Sequence, residues 1–204
     1  MDIKTIAEIS EIISGHSFRG SIQEDIYGSV AILQASNIGG QSLDIGTDHL
    51  KSISTMPPRA VSILQEGDVV LVARSSALSG MKAAVFKGYH KPVIATSSVT
   101  IIRPHRNSTV LPEYLVLYVN SQLGQSALSA YARGSTIQTI LKRDLEAVRI
   151  PLPSLEKQEN IVQLYINIQK QERIIERQSE IKQNIINATF KSLTATYTSR
   201  FNRQ

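Results

Sequence analysis

The sequence predicts an α+β fold: a domain with a curled, mainly antiparallel sheet and flanking helices, followed by one long coiled-coil-forming α-helix. Three observations carry this expectation. Short apolar, β-prone runs recur near residues 30, 70, 84 and 100 with short turns between them, the pattern of an antiparallel sheet. Helical stretches cluster after Pro112, a residue suited to the first turn of a helix. From Leu155 to Leu193 neither Gly nor Pro occurs, and Ile161, Ile168 and Ile175 fall seven residues apart.

Taken in order, residues 2–14 begin as a short amphipathic helix on Ile3, Ile6 and Ala7. They pass into alternation through Ile9, Glu11 and Ile13, and end at Gly15. Residues 16–28 are polar and Gly-punctuated, hence a loop. Val30–Leu33 is a short buried strand, and Ser36-Asn37-Ile38-Gly39-Gly40 a turn. Residues 48–64 are weakly patterned and broken by Pro57-Pro58. Val69–Ala73 is the strongest strand; it ends at Arg74-Ser75-Ser76, with Gly80 beyond. Lys82–Phe86 and Ser98–Ile102 are further strands, the latter stopped by Pro104. Helices follow over 112–120 and 123–131, then a loop at Arg133-Gly134-Ser135-Thr136. A helical turn at 141–145 and a strand at 147–150 complete the domain. Pro151 and Pro153 enforce an extended lead-in, and Ser154 stands where an N-cap is wanted, with Lys157 leaving the capping box incomplete. The expected organisation is a domain over 1–153, a helix over 154–193 and a frayed tail over 194–204.

The helix, about 58 Å long at 1.5 Å per residue, needs a partner, because helical stability in proteins comes mostly from packing an apolar face. Ile161, Leu164, Ile168, Ile175 and Ile185 form a heptad seam that Tyr165, Ile174, Ile181 and Ile186 widen. Gln171, Gln178 and Lys182 fall on the seam, where polar residues set register and partner number at a cost in stability. The candidate dimerisation set is Ile161, Leu164, Ile168, Gln171, Ile175, Gln178, Ile181 and Ile185. The stripe is compatible with parallel or antiparallel pairing, and a long helix packed on its own domain is the plainer alternative.

The net charge of +5 is unevenly spread. Residues 1–50 carry two Lys/Arg against seven Asp/Glu, whereas residues 51–143 carry eleven against three. A basic middle segment suggests a phosphate-facing surface, though scattered surface lysines give the same sum. The chain has no cysteine, which excludes disulfides and thiolate metal sites. It has no 18-residue apolar run and no signal-peptide pattern, so a cytoplasmic, non-membrane setting is expected. His16, His49, His90 and His105 are scattered singles rather than a metal set. No Walker loop and no Gly-x-Ser-x-Gly elbow is present. The only acids of the basic segment are Glu66, Asp68 and Glu113, and Asp68, placed just before a strand, fits a turn cap better than a water-activating base. The weight shifts from catalysis to binding.

One ordered arrangement is specific: Gly67-Asp68 before a strand, Arg74-Ser75-Ser76 with Gly80, then Gly134-Ser135-Thr136-Ile137-Gln138. Asp144-Leu145 and Ile150-Pro151-Leu152-Pro153-Ser154-Leu155-Glu156-Lys157-Gln158 with Ile161 follow. Nearly the whole chain thereby resembles the DNA-specificity subunit of type I restriction-modification enzymes. The resemblance implies a target-recognition domain that reads one half of a split DNA site, followed by a conserved helix. Full-length members resemble two such units in tandem, so this chain resembles a half-subunit, natural or truncated, that pairs as a homodimer on an inverted repeat with an unread gap. It implies double-stranded DNA, a DNA methyltransferase subunit and a restriction subunit as partners. S-adenosylmethionine and ATP/Mg would sit on those partners, with no cofactor and no catalysis in this chain. The outer face of the long helix and the Asp2–Glu8 helix are the expected methyltransferase contacts.

Phosphate contacts should come from Lys and Arg, and base contacts from Arg, Asn, Gln, Ser and Thr on loops. The candidates are Ser36 and Asn37; Arg74, Ser75, Ser76 and Lys82; and Arg133, Ser135, Thr136 and Gln138. Ser36 and Asn37 are equally good turn formers, and Ser135 an equally good cap. Tyr27, Tyr89 and Tyr131 could stack on a base, or simply pack. The rival functions are a helical adaptor with an incidental basic surface and a small nuclease-like enzyme.

Overall fold

The computed structural model describes residues 2–39, 42–47, 50–54, 62–76 and 80–201, with side chains to residue 191. Gly40, His49, Pro57, Pro58 and residues 202–204, which figure in the expectations above, lie outside the described residues. The chain divides into a first unit, residues 1–159, and a second, residues 160–204.

The first unit opens with strand β1 (Asp2–Thr5), a single turn α1 (Ile6–Ile9) and β2 (Ser10–Ser14). It continues through β3 (Val30–Leu33), a 3-10 turn (Ala35–Asn37), β4 (Lys51–Ile53), β5 (Val69–Val72), β6 (Arg74–Ser76), β7 (Ala83–Val85), β8 (Val93–Ala95) and β9 (Val99–Pro104). Helices α2 (Pro112–Asn120) and α3 (Gln122–Ser129) follow, then β10 (Ile137–Thr139), α4 (Lys142–Glu146) and β11 (Arg149–Leu152). Among the described residues the strands form a four-stranded sheet β2-β9-β5-β7, a three-stranded sheet β4-β3-β8, and two ribbons, β1-β11 and β6-β10. All the strand pairs are antiparallel except β3 with β8.

Alternation along the strands explains the core. Ala31 and Leu33 of β3 join Val70 and Val72 of β5 and Val99 and Ile101 of β9 in one cluster, so the two larger sheets share a core. Val30 and Ile32 point to the other side, where Ile94, Phe18 and Ile53 meet them. Both faces of β3 are thus covered, which is why it reads as four consecutive apolar residues. Asp68, 1% exposed, caps the turn before β5 by accepting from Gln65 N at 2.8 Å. Arg103 grips it in bidentate fashion, Nε to Oδ1 at 2.8 Å and Nη2 to Oδ2 at 2.7 Å. The turn-cap reading of Asp68 agrees with this geometry.

The outer edge of β7 is closed at Val85 by backbone, with Val85 N donating to Leu43 O (2.6 Å) and Val85 O accepting from Ile45 N (3.1 Å), and at its start by side chains. The Asn120 amide bonds both N and O of Ala83 at 2.9 Å, and the Gln125 amide bonds both N and O of Met81 at 2.9 Å. Two carboxamides from α2 and α3 thus stand in for the ladder at Met81 and Ala83, where an open edge would otherwise invite pairing.

Several expectations need correction. Residues 2–5 are not helical: β1 pairs with β11 in the register Asp2↔Leu152 to Thr5↔Arg149, and the helix shrinks to Ile6–Ile9. Its start is marked by Thr5, whose N and Oγ1 both donate to Glu8 Oε2, at 2.7 and 2.9 Å. These bonds, the backbone one foremost, hold the Glu8 carboxyl below its ordinary range. The proposed Asp2–Glu8 helical contact surface is therefore a strand and one turn. Arg74-Ser75-Ser76 does not end a strand in a loop but forms β6, because Ile137–Thr139, some 60 residues on, supplies a partner. Strands β4 and β8 fall where no strand was expected.

Tyr114 Oη donates to Pro151 O at 2.6 Å and Tyr118 Oη to Arg149 O at 3.3 Å, which ties α2 to β11. Burial pushes both phenols above their ordinary pKa. Helix α5 (Leu155–Phe201) starts at Ser154, whose carbonyl accepts from Gln158 N at 3.0 Å. Gln158 is fully buried, donating to Thr109 O (2.8 Å) and Pro153 O (2.9 Å) and accepting from Leu111 N (2.9 Å). The second unit is the remainder of α5. It runs to Phe201, about 70 Å of helix in all, beyond the expected end at Leu193 and into the stretch 194–201 read as a frayed tail, where no Gly or Pro stops it. No helix of the described residues is long and apolar enough to cross a membrane.

Candidate nucleic-acid interface

The ribbon β6-β10 is where the sequence-derived candidates come together. The chain leaves the four-stranded sheet at Ala73, whose N donates to Ser98 O (3.2 Å) and whose O accepts from Ile140 N (3.1 Å). It then pairs with β10 in the register Arg74↔Thr139, Ser75↔Gln138 and Ser76↔Ile137. On the far side of β10, Thr139 exchanges both backbone bonds with Arg133, each at 2.9 Å. The result is a three-residue rung, Arg74–Thr139–Arg133. Directly opposed residues share a face, so the two arginines stand on the same side, with Cα atoms about 10 Å apart from the usual spacings of such pairs.

Gly134 makes this possible. At φ 102° it occupies left-handed space, and a Cβ there would collide with the carbonyl of Ile137. The loop Gly134-Ser135-Thr136 is exposed, and from it the chain turns back into β10.

The period of two sorts the candidates into faces. Arg74, Ser76 and Arg133 share the outward face with Thr139 and with Ile137, which is 51% exposed. Ser75 and Gln138 lie on the opposite, more covered face. Ser135 and Thr136 sit in the exposed loop beside the rung. Lys82 is half-buried beside the end of β5, its carbonyl accepting from Val72 N at 2.8 Å. Ser36 and Asn37 belong to the 3-10 turn after β3, in a different sheet, and Asn37 Oδ1 accepts from Gln34 N at 2.9 Å, a turn-forming role. Tyr27 is 94% exposed and so not a core residue, whereas Tyr131 is anchored by a 3.4 Å bond to Ala147 O and Tyr89 packs against the shared core.

Sequence reasoning missed Ile137, Thr139 and Asp144 as members of this surface. Asp144 Oδ2 accepts from Arg133 Nη2 at 3.2 Å, and its Oδ1 lies 3.4 Å from Arg143 Nε. One carboxylate thus steadies two mostly exposed guanidiniums, with side-chain exposures of 62% and 74%. The alternation Ile137/Thr139 against Gln138 was a signal for them, but only with the pairing partner known. Exposed guanidiniums, hydroxyls and an apolar side chain on a two-stranded ribbon can contact phosphates and base edges, and a ribbon of this kind fits the DNA major groove. Among the described residues no group of three or more His, Asp or Glu could hold a metal ion.

On the second unit, Leu164, Ile175 and Ile185 are 60–64% exposed and Ile161, Ile168 and Ile181 43–46%. Gln171 and Gln178 are exposed beside them. The expected seam is an uncovered apolar stripe.

Residues 1–189 match the model of the type I restriction modification DNA specificity domain. The chain is 22% identical over 163 residues to the type I restriction enzyme EcoR124I/EcoR124II specificity subunit of Escherichia coli, covering 79% of this chain and 39% of that one. Its fold is similar to that of the HsdS subunit from Thermoanaerobacter tengcongensis, with a TM-score of 0.59, 22% identity, and 86% of this chain and 39% of the other covered. It also resembles a chain solved in work on complex assembly and conformational transition of the type I R-M system, with a TM-score of 0.63, 24% identity and coverage of 86% and 40%. The chain therefore spans about two fifths of the length of the relatives it matches. The family is one of DNA-specificity domains, not of catalysts. By the match over residues 1–189 and by the fold it shares with solved specificity subunits, this chain belongs to the type I restriction modification DNA specificity domain family.

Proposed function

We propose that this chain is a non-catalytic DNA reader that recognises one half of a bipartite site, pairs with a second copy through α5 and directs a DNA methyltransferase subunit and a restriction subunit to the DNA. The observation that carries the reading is the Arg74–Thr139–Arg133 rung, exposed on a ribbon narrow enough for the major groove. There an arginine can bridge guanine O6 and N7, while Ser135, Thr136 and the Lys82 region supply nearby polar and backbone contacts. The uncovered stripe from Ile161 to Ile185, with Gln171 and Gln178 in its seam, supports self-association. Two-fold pairing of identical readers imposes an inverted repeat with an unread centre whose length is set by the paired helices. S-adenosylmethionine and ATP/Mg belong on the partner subunits in this reading, in a cytoplasmic complex.

Molecular mass in solution, together with selection of bound sequences from random DNA in the presence of the methyltransferase subunit, tests the proposal. The expected result is twice the 22.5 kDa chain mass and an inverted repeat with a degenerate gap. A monomer at high concentration that selects one contiguous asymmetric site would overturn it. Binding without sequence preference and without salt dependence would favour a helical adaptor instead.

A further inference from the structure

We infer that Ile137 is a specificity-determining residue that reads the C5 methyl group of a thymine, an inference that rests on the DNA reading proposed above. Ile137 is 51% exposed, yet it is held on an ordered strand and not on a slack loop. Its cross-strand partner is Ser76, and two residues along the same face lies the Arg74–Thr139–Arg133 rung. The side chain therefore emerges beside two guanidiniums, on the side of the ribbon that the charge pattern turns toward a polyanion.

An exposed β-branched apolar residue contributes nothing to phosphate binding. In the major groove, however, thymine is the base whose edge carries a methyl group, and apolar side chains mark it by contact. The neighbouring groups suit the same groove: arginine for guanine acceptors, serine and threonine hydroxyls for either donor or acceptor. Gly134 makes the placement specific. Its left-handed turn brings its own backbone close to the Ile137 carbonyl, and the paired bonds between Arg133 and Thr139 fix the direction in which the Ile137 side chain leaves the strand. The contact is thus set by backbone geometry and requires no ordering of a loop.

The test uses the full chain with its selected DNA site. Each thymine is replaced in turn by deoxyuridine, which removes the methyl group and leaves base pairing intact, and the dissociation constant is measured. Burying one methyl group predicts a loss of about fourfold at one thymine in each half-site. Ile137→Ala should bind the thymine and uracil versions of that position equally, Ile137→Val should keep the difference, and Arg74→Ala should keep it at lower affinity. Circular dichroism of the Ile137 variants should match that of the parent. The inference is overturned if every thymine tolerates uracil, if the selected half-site holds no thymine, or if the uracil penalty persists in Ile137→Ala. Failure to select any sequence at all would overturn the DNA reading itself, and is distinguishable from these outcomes because the parent protein would show no preferred site.

Discussion

Gln158 and Arg74 are both long polar side chains, and they are used in opposite ways. Gln158 is fully buried and spends its amide on three backbone groups, Thr109 O, Pro153 O and Leu111 N. Asp68, equally buried, is spent on Arg103 and Gln65. Arg74 stands exposed on a ribbon face with Arg133 across from it. The difference teaches where polarity serves the fold and where it serves recognition. A buried polar group must be satisfied internally, whereas an exposed one on a rigid strand keeps its bonding capacity for whatever docks there. Two kinds of substitution should therefore separate cleanly, one costing stability and the other costing selectivity.

The largest effect is expected at Asp68. Asp68→Ala leaves Gln65 N without its acceptor and the Arg103 guanidinium without its counter-ion, bonded to Ile63 O only, and should cost about 3 kcal/mol of stability, measured by urea denaturation. Arg103 is partly exposed, which keeps the loss at the lower end for a broken buried pair. A loss below about 1 kcal/mol would break the comparison, since Asp68 would then not be a fold-serving group.

Next comes Gln158→Ala, which strands one backbone donor and two acceptors and should cost about 2 kcal/mol in the same assay. Gln158→Glu should also destabilise, because a carboxylate cannot donate to Thr109 O and Pro153 O.

At the ribbon the sign of the contrast reverses. Arg74→Ala should leave unfolding within about 0.5 kcal/mol of the parent and cost about 1–3 kcal/mol of discrimination between the selected site and a site altered at one base pair. Competition binding at fixed salt measures this. If Arg74→Ala lowers affinity for all sequences alike, the residue contacts phosphate and not a base, which would sharpen the division of labour within the rung.

The smallest effect concerns pH. Burial raises the Tyr114 pKa above its ordinary value, so the folded state holds the phenolic proton more tightly than the unfolded chain. The associated stability is fully present below the ordinary tyrosine pKa and is lost as pH rises through the folded one. Tyr114→Phe should lose about 1 kcal/mol at neutral pH with the bond to Pro151 O, and should flatten the alkaline fall in stability.

Much of the architecture was legible because it is written in local patterns. The apolar runs at 30–33 and 69–72, the Pro112 helix start and the Gly- and Pro-free stretch after Leu155 all formed where expected. The errors at the strands share one cause. Residues 2–5 carry helical spacing but pair with residues 149–152, and residues 74–76 look like a polar loop but pair with residues 137–139. Helix α5 outran its expected end because each added residue extends an existing ladder without a new nucleation cost and no Gly or Pro interrupts residues 194–201. Of the proposed DNA contacts, Arg74, Ser76 and Arg133 fell on one face. Ser75 and Gln138 fell on the other because neighbours in a strand point to opposite sides.

By itself the sequence determined the class of fold, the basic middle segment, the lack of any metal or nucleophile motif, and a long helix with an apolar stripe. These depend on periodicity and composition, which are local. Only the tertiary structure decided which distant strands pair, and hence that Arg74, Arg133, Thr139 and Ile137 share a surface. Strand pairing is a contest among remote segments for the same backbone bonds, and its outcome is settled by the packing of the whole domain rather than by any one stretch.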